Sequence, residues 1–216
     1  MRLALLGLIA TGLMGCDIAA DLSGGSSEPV RAMSLLGGDV VVQAPDGYCI
    51  DERSSRARSG FVVMAGCALV SDQAEMPYRD GLITIQVGQP GTAAVDGSED
   101  ALRDLLSSAS GVGLLSSTGD PSTISVDALN SRDNLVTVHF SDSAPPPFEG
   151  LEQLEWRAFF DLDDRLSTVT VRGFERSPLN ENAGLGLLEQ AVRSIQSANA
   201  ARAAAQASDG SAEGDS

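Results

Sequence analysis

The sequence predicts an α+β domain: an antiparallel β-sheet of about six to eight strands packed with two main helices and holding one disulfide. Three observations point there. β-Branched runs recur between turn-forming residues, several with period-two alternation. Only two stretches repeat apolar residues at helical spacing. Beyond the first sixteen residues the chain carries an even pair of cysteines, Cys49 and Cys67. Strands that cluster with few helices between them favour antiparallel pairing over alternating βαβ units.

In chain order, "DVVVQA" (39–44) is a β-branched run that leads into the turn Pro45-Asp46-Gly47. "GFVVMAGCALV" (60–70) is a longer apolar strand that Gly66 can bend. "GLITIQVG" (81–88) alternates between glycines. A helix follows over Glu99 to about Ser108, with Ser98 placed to cap it. Glu99 and Asp100 lie at the positive end of its dipole, and Leu102, Leu105 and Leu106 form its stripe. "NLVTVHF" (134–140) sets Val136, Val138 and Phe140 on one face and Leu135, Thr137 and His139 on the other. "EWRAFFDLDDRLSTVTVRGF" (155–174) reads as a hairpin turning near Asp163-Asp164. The second helix, Ala183 to about Asn199, places Leu188, Ala191, Val192 and Ile195 on one face.

This order of a strand-rich start, a helix, a hairpin and a final helix resembles the Mog1/PsbP-like α+β sandwich. The resemblance is one of topology, and no motif residue carries it.

The composition narrows the function. The formal charge is −16, from 30 acidic and 14 basic residues, and every basic residue is arginine. Without lysine there is no Schiff-base amine, no Ser-Lys dyad and no P-loop lysine. So acidic a balance argues against nucleic acid, whose binding rests largely on neutralising phosphates with a basic face, and no nucleic-acid partner is expected.

The N-terminus indicates an address. Arg2 precedes an apolar stretch, Leu3 to Met14, of twelve residues. A bilayer-spanning helix needs roughly 20 residues, so this stretch suits the apolar region of a secretory signal. It ends in Leu13-Met14-Gly15-Cys16, which resembles the lipobox of bacterial lipoproteins. That resemblance implies cleavage before Cys16, a lipidated Cys16 thiol and a membrane partner through the lipid anchor. Acyl chains hold by about 0.8 kcal/mol per buried CH₂. Asp17 after the cysteine resembles the retention signal of proteobacterial inner-membrane lipoproteins, which implies a domain facing the periplasm from the inner membrane.

The expected organisation is therefore a signal peptide at 1–15, and a lipidated cysteine with a flexible tether at 16–38. A single domain follows at 39–196, then an alanine-rich and finally acidic tail at 197–216. The tether is Gly/Ser-rich with Pro29. The alanine-rich half of the tail can extend a helix, and its last eight residues are expected to be disordered.

With Cys16 lipidated, Cys49 and Cys67 remain in an oxidising compartment, where pairing is the default. Between them "DERSSRAR" gathers Arg53, Arg56 and Arg58, the basic cluster of the chain. It reads either as a recognition patch for a carboxylate, phosphate or acidic partner, or as a solvated loop.

The remaining chemistry is sparse. "DLDD" (161–164) lacks the spacing of a calcium loop and falls where a hairpin must reverse, so it reads as a turn. His139, the single histidine, sits within an alternating strand, and no G-x-S-x-G elbow offers it a nucleophile. Trp156, Phe159 and Phe160 read as core on one face and a packed or partner-facing residue on the other. "SAPPPF" (143–148) reads as a stiff connection. Neither catalytic residues nor a cofactor or metal site is expected.

The expected function is a membrane-anchored envelope lipoprotein of non-enzymatic type, presenting its domain to a protein or small ligand. The alternatives are a carboxylate-based or metal-assisted hydrolase of the envelope, and a structural component of an envelope assembly.

Overall fold

The computed structural model describes residues 29–71 and 77–213. The signal peptide, Cys16, Asp17 and the tether up to residue 28 lie outside the described residues. Among the described residues nine strands form: β1 (Ala32–Leu35), β2 (Val40–Gln43), β3 (Tyr48–Ile50), β4 (Phe61–Gly66), β5 (Gly81–Val87), β6 (Ile124–Arg132), β7 (Leu135–Asp142), β8 (Leu151–Leu162) and β9 (Arg165–Phe174). Among the same residues three α-helices accompany them: α1 (Cys67–Val70), α2 (Glu99–Ser107) and α3 (Glu181–Glu213).

Seven strands make one sheet in the order β3-β4-β5-β9-β8-β7-β6, with every neighbouring pair antiparallel. β1 and β2 form a separate antiparallel pair. The large sheet joins two meanders, β3–β4–β5 and β6–β7–β8–β9, along the β5–β9 seam. This is the α+β fold with an antiparallel sheet that the alternation and the two helical stretches predict.

Each meander turns where the residue chemistry permits it. Tyr48 N–H donates to the Pro45 carbonyl at 3.0 Å across Gly47, whose φ of +82° suits a residue without Cβ. Asp133 and Asn134 both adopt positive φ between β6 and β7, as a tight hairpin turn requires. The β8–β9 hairpin reverses at Asp163-Asp164, with Asp163 at φ +54°.

The sheet is covered on diagonal halves of its two faces. On the inner face, Ile83, Ile85, Ala158, Phe160 and Val171 meet Val40 and Val42 of β2 and Leu187, Leu188 and Ile195 of α3. On the outer face, Val136, Val138 and Phe140 meet Leu106 of α2, together with Val95 and Leu115. The split of β7 between these faces is the one its alternation predicts. Among the described residues no helix packs over the inner face of β6 and β7, since α3 lies over β2, β8 and β9.

Several boundaries move. Residues 29–38, expected as tether, belong to the fold: Ile50 N–H donates to the Val30 carbonyl at 2.7 Å, β1 pairs with β2, and Leu35 is fully buried. The Gly/Ser composition masks four apolar residues, Val30, Met33, Leu35 and Leu36, that join the main core. The alanine-rich half of the tail extends α3, as its composition allows, and α3 continues to Glu213, five residues into the last eight that were expected to be disordered; 214–216 lie outside the described residues. Alanine is the strongest helix former, and the stretch after Asn199 is rich in it. α3 begins at Glu181 because Asn180 caps it, its Oδ1 accepting from Ala183 N–H at 2.9 Å. Ser98 stands at the α2 N-cap without a capping side-chain bond. The 60–70 run ends as a strand at Gly66 and continues as the single turn α1.

Candidate functional site

α3 packs over β2, β8 and β9. Its first turns therefore form one wall of a groove whose floor is the uncovered inner face of β6 and β7. The groove holds about 280 Å³ and is lined by Asn130, Arg132, Leu135, Thr137, Leu185 and Glu189, among others. A recess of about 60 Å³ opens beside it against His139, Trp156, Thr137, Glu181 and Leu185. Leu185 remains partly exposed at its rim.

The floor is set by strand register. His139 of β7 lies directly opposite Trp156 of β8, and their rings stack with centroids 4.3 Å apart. Gly184 is the residue of α3 that rides on this stack. A Cβ there would lie 2.6 Å from the Trp156 ring, so glycine sets how closely the helix approaches.

His139 is oriented from the edge strand. A β-bulge in β6 between Val126 and Ala128 makes Asp127 the extra residue, and its Oδ2 lies 3.5 Å from His139 Nδ1. His139 Nε2 is buried and makes no hydrogen bond among the described residues. The expected strand histidine on the more polar face is thus found, as part of a groove floor.

A recess of this size admits the tip of a side chain, since a water takes about 30 Å³. The groove itself lies at the low end of small-molecule sites, which run from about 300 Å³. Such dimensions suit projecting side chains of a partner better than an enclosed ligand.

The other sequence-singled residues fall elsewhere. Cys49 on β3 and Cys67 at the start of α1 are joined in a disulfide with Cα atoms 4.7 Å apart. Arg53, Arg56 and Arg58 are exposed on the loop between β3 and β4. Beside them, the Ser54 hydroxyl hydrogen-bonds the Asp51 carboxyl and holds it below the usual carboxylate range. This loop is at the β3 edge of the sheet and the groove at the β6 edge, so the arginines and His139 do not meet.

"DLDD" serves the fold in more ways than as a turn. Asp161 accepts from the backbone N–H groups of Ala94, Val95 and Asp96 at 2.8–3.1 Å, and Asp164 from Gly91 N–H at 3.0 Å. Asp163 pairs with Arg202 of α3. Among the described residues no group of three His, Cys, Asp or Glu could hold a metal ion. No helix among them is long and apolar enough to cross a membrane.

Sequence reasoning missed a buried ionic network on the outer face. Glu155 accepts from both Arg172 and Arg157, with Arg157 Nε at 2.7 Å. Arg172 also donates to the Glu152 carbonyl, and Arg157 lies over the Phe140 ring. The signal was available in the register: a hairpin turning at 163–164 places 155 opposite 172.

No protein-family model matches the chain, and no curated protein matches it. Among solved structures the chain is similar to the Ran-binding protein Mog1p of Saccharomyces cerevisiae. The identity is 13% and the TM-score 0.45, over 77% of this chain and 95% of that one. A mutant of protein Mog1 is similar at 12% identity and a TM-score of 0.43, over 76% and 92%. Both are likenesses of fold and carry no activity to this chain.

Proposed function

We propose that the chain is a lipid-anchored protein of the bacterial envelope whose folded domain is a non-enzymatic binding module, engaging a partner at the groove beside α3. The observation that carries the binding site is the composition of the groove. A partly exposed leucine, Leu185, and a stacked His139–Trp156 floor sit within a rim of Asn130, Thr137, Arg132 and Glu189. An apolar centre inside a polar rim is the usual build of a protein-binding surface. The lipobox residues Leu13 to Cys16 support the address, and Asp17 supports the inner membrane facing the periplasm.

Two measurements test this reading. The intact mass of the chain from its native membrane should show cleavage before Cys16 and acylation of that residue; an unmodified Cys16 overturns the anchor. A photocrosslinker in place of Asn130 should trap a partner in the envelope, and Leu185→Asp should suppress the adduct. A crosslinker in place of Gln86, on the opposite sheet face, should trap none of it. An adduct insensitive to Leu185→Asp overturns the groove as the site. Hydrolysis abolished by replacing one carboxylate would overturn the non-enzymatic reading.

A further inference from the structure

We propose that Arg53, Arg56 and Arg58 form a docking surface for anionic phospholipid headgroups of the bilayer that holds Cys16, which rests on the lipid-anchor reading above. Among the described residues every arginine outside this loop except Arg79 is in an ion pair. These three are exposed and have none, in a chain with 30 acidic residues to choose from. Arg56 Nη1 donates to the Ser54 carbonyl at 3.4 Å, and guanidinium groups without a carboxylate partner remain available for phosphate, which their planar fork fits bidentately.

The loop is held in shape before any ligand arrives. Ser55 Oγ donates to the Asp51 carbonyl at 2.6 Å and accepts from Val63 N–H at 3.0 Å. Arg56 and Phe61 exchange backbone hydrogen bonds, and Gln86 Nε2 donates to the Ser59 carbonyl at 2.9 Å. Of the two acids in the loop, Asp51 is turned to Arg53 N–H and the Ser54 hydroxyl, and Glu52 is exposed without an ion pair. At physiological ionic strength, exposed acidic groups more than about 8 Å from these arginines are largely screened.

The position of the loop names the surface it meets. The chain enters the domain at Val30, bonded to Ile50 immediately before the loop. Ala57 of the loop packs into the same cluster as Val30, Met33 and Leu36. Twelve residues lie between Cys16 and Pro29, a path of thirteen residue steps that spans at most about 45 Å. The lipid anchor therefore confines this loop near headgroups, and even weak contacts gain from that confinement. An acidic protein surface would match the charge equally, but the path of the chain favours the bilayer.

The test uses the lipidated chain in vesicles, with a donor fluorophore on Ser59→Cys and an acceptor on headgroup-labelled lipid. Energy transfer at Ser59 should rise about twofold when phosphatidylglycerol is included in phosphatidylcholine vesicles. Salt at about 0.5 M, or combined Arg53→Gln, Arg56→Gln and Arg58→Gln, should return it to the phosphatidylcholine value. A donor on Ser125→Cys, at the opposite sheet edge, should show no such rise. Equal transfer at Ser59 in both vesicles, or a rise that survives the triple substitution, overturns the docking surface and leaves the anchor standing. Absence of transfer at both positions in both vesicles overturns the anchor and the docking surface together. Loss of a protein crosslink to the loop in the triple variant, with transfer unchanged, assigns the patch to an acidic protein instead.

Discussion

The side-chain amide of Asn199 pairs with both backbone groups of Val41. Val41 N–H donates to Asn199 Oδ1 at 3.0 Å, and Asn199 Nδ2 donates to the Val41 carbonyl at 2.8 Å. The second amide hydrogen goes to the Ile195 carbonyl, also at 2.8 Å. Among the described residues β2 pairs with a strand on one side only, and the amide bonds its other edge as a neighbouring strand would. This contact ties α3 to a strand that is otherwise joined to the large sheet through side chains.

Asn199→Ala leaves two Val41 groups unpaired in a half-buried position. The expected cost is about 2 kcal/mol, read as a lower urea midpoint with unchanged slope. Asn199→Asp keeps the acceptor but loses both donors, and at neutral pH it should be no more stable than the alanine variant. A midpoint equal to that of the parent chain would mean that water replaces the amide at no cost.

The outer-face network predicts a larger effect. Glu155 is almost wholly buried and is the carboxylate shared by Arg172 and Arg157. Glu155→Gln leaves two guanidinium groups in a covered site without their counter-charge, at an expected cost of about 3–5 kcal/mol. Combining Glu155→Leu with Arg157→Met and Arg172→Met removes the charges together. That variant should unfold at higher urea than Glu155→Gln. The reverse order would show that the charges hold the strands in place rather than burden them.

How far these features can be read from the sequence depends on whether local pattern or distant packing decides them. The β8–β9 hairpin is local: Asp163-Asp164 marks the reversal, and 155 opposite 172 follows. That both residues are covered does not follow, because burial depends on what packs against the hairpin from elsewhere in the chain; the Leu114 carbonyl, for one, accepts from Arg157. β6 escaped the alternation test because the bulge at Asp127 breaks its period. β3 is three residues long and has no period of its own. The His139–Trp156 stack needs the β7–β8 register, and the loop at 143–150 encodes none. The groove is further still from local pattern. It exists because α3 lies over β2, β8 and β9 rather than over β6 and β7, and the stripe of α3 fixes which face is buried, not against which strands.

Two glycines near the start of α3 should respond oppositely to alanine. Helix propensity alone favours Ala over Gly by about 1 kcal/mol. At Gly186 the new Cβ meets the end of the Arg79 side chain at 3.4 Å, which can move, so Gly186→Ala should stabilise. At Gly184 it meets the Trp156 ring at 2.6 Å, where overpacking costs about 1–3 kcal/mol and outweighs the gain. Gly184→Ala should lower the melting temperature and shift Trp156 fluorescence as the ring is displaced. Stabilisation by both substitutions would show that the helix start can lift from the sheet freely.

Asp142 should make stability depend on pH in the acid range. Burial alone raises its pKa, but hydrogen bonds from Ser117 and Ala144 N–H and from the Thr123 and Ser117 hydroxyls outweigh it and hold the carboxyl below its ordinary value. Between the folded value and the unfolded value of about 3.9, the unfolded chain binds more protons, so stability rises with pH there. The contribution is complete above the unfolded pKa and is lost as pH falls through the folded one. Asp142→Asn cannot ionise and offers one acceptor oxygen where the carboxylate offers two. Unfolding free energies from urea titrations between about pH 2 and 7 should therefore separate the two proteins most at neutral pH and converge below the carboxylate range. A difference that stays constant across that range would show that the loss is one of packing, with no part played by the charge.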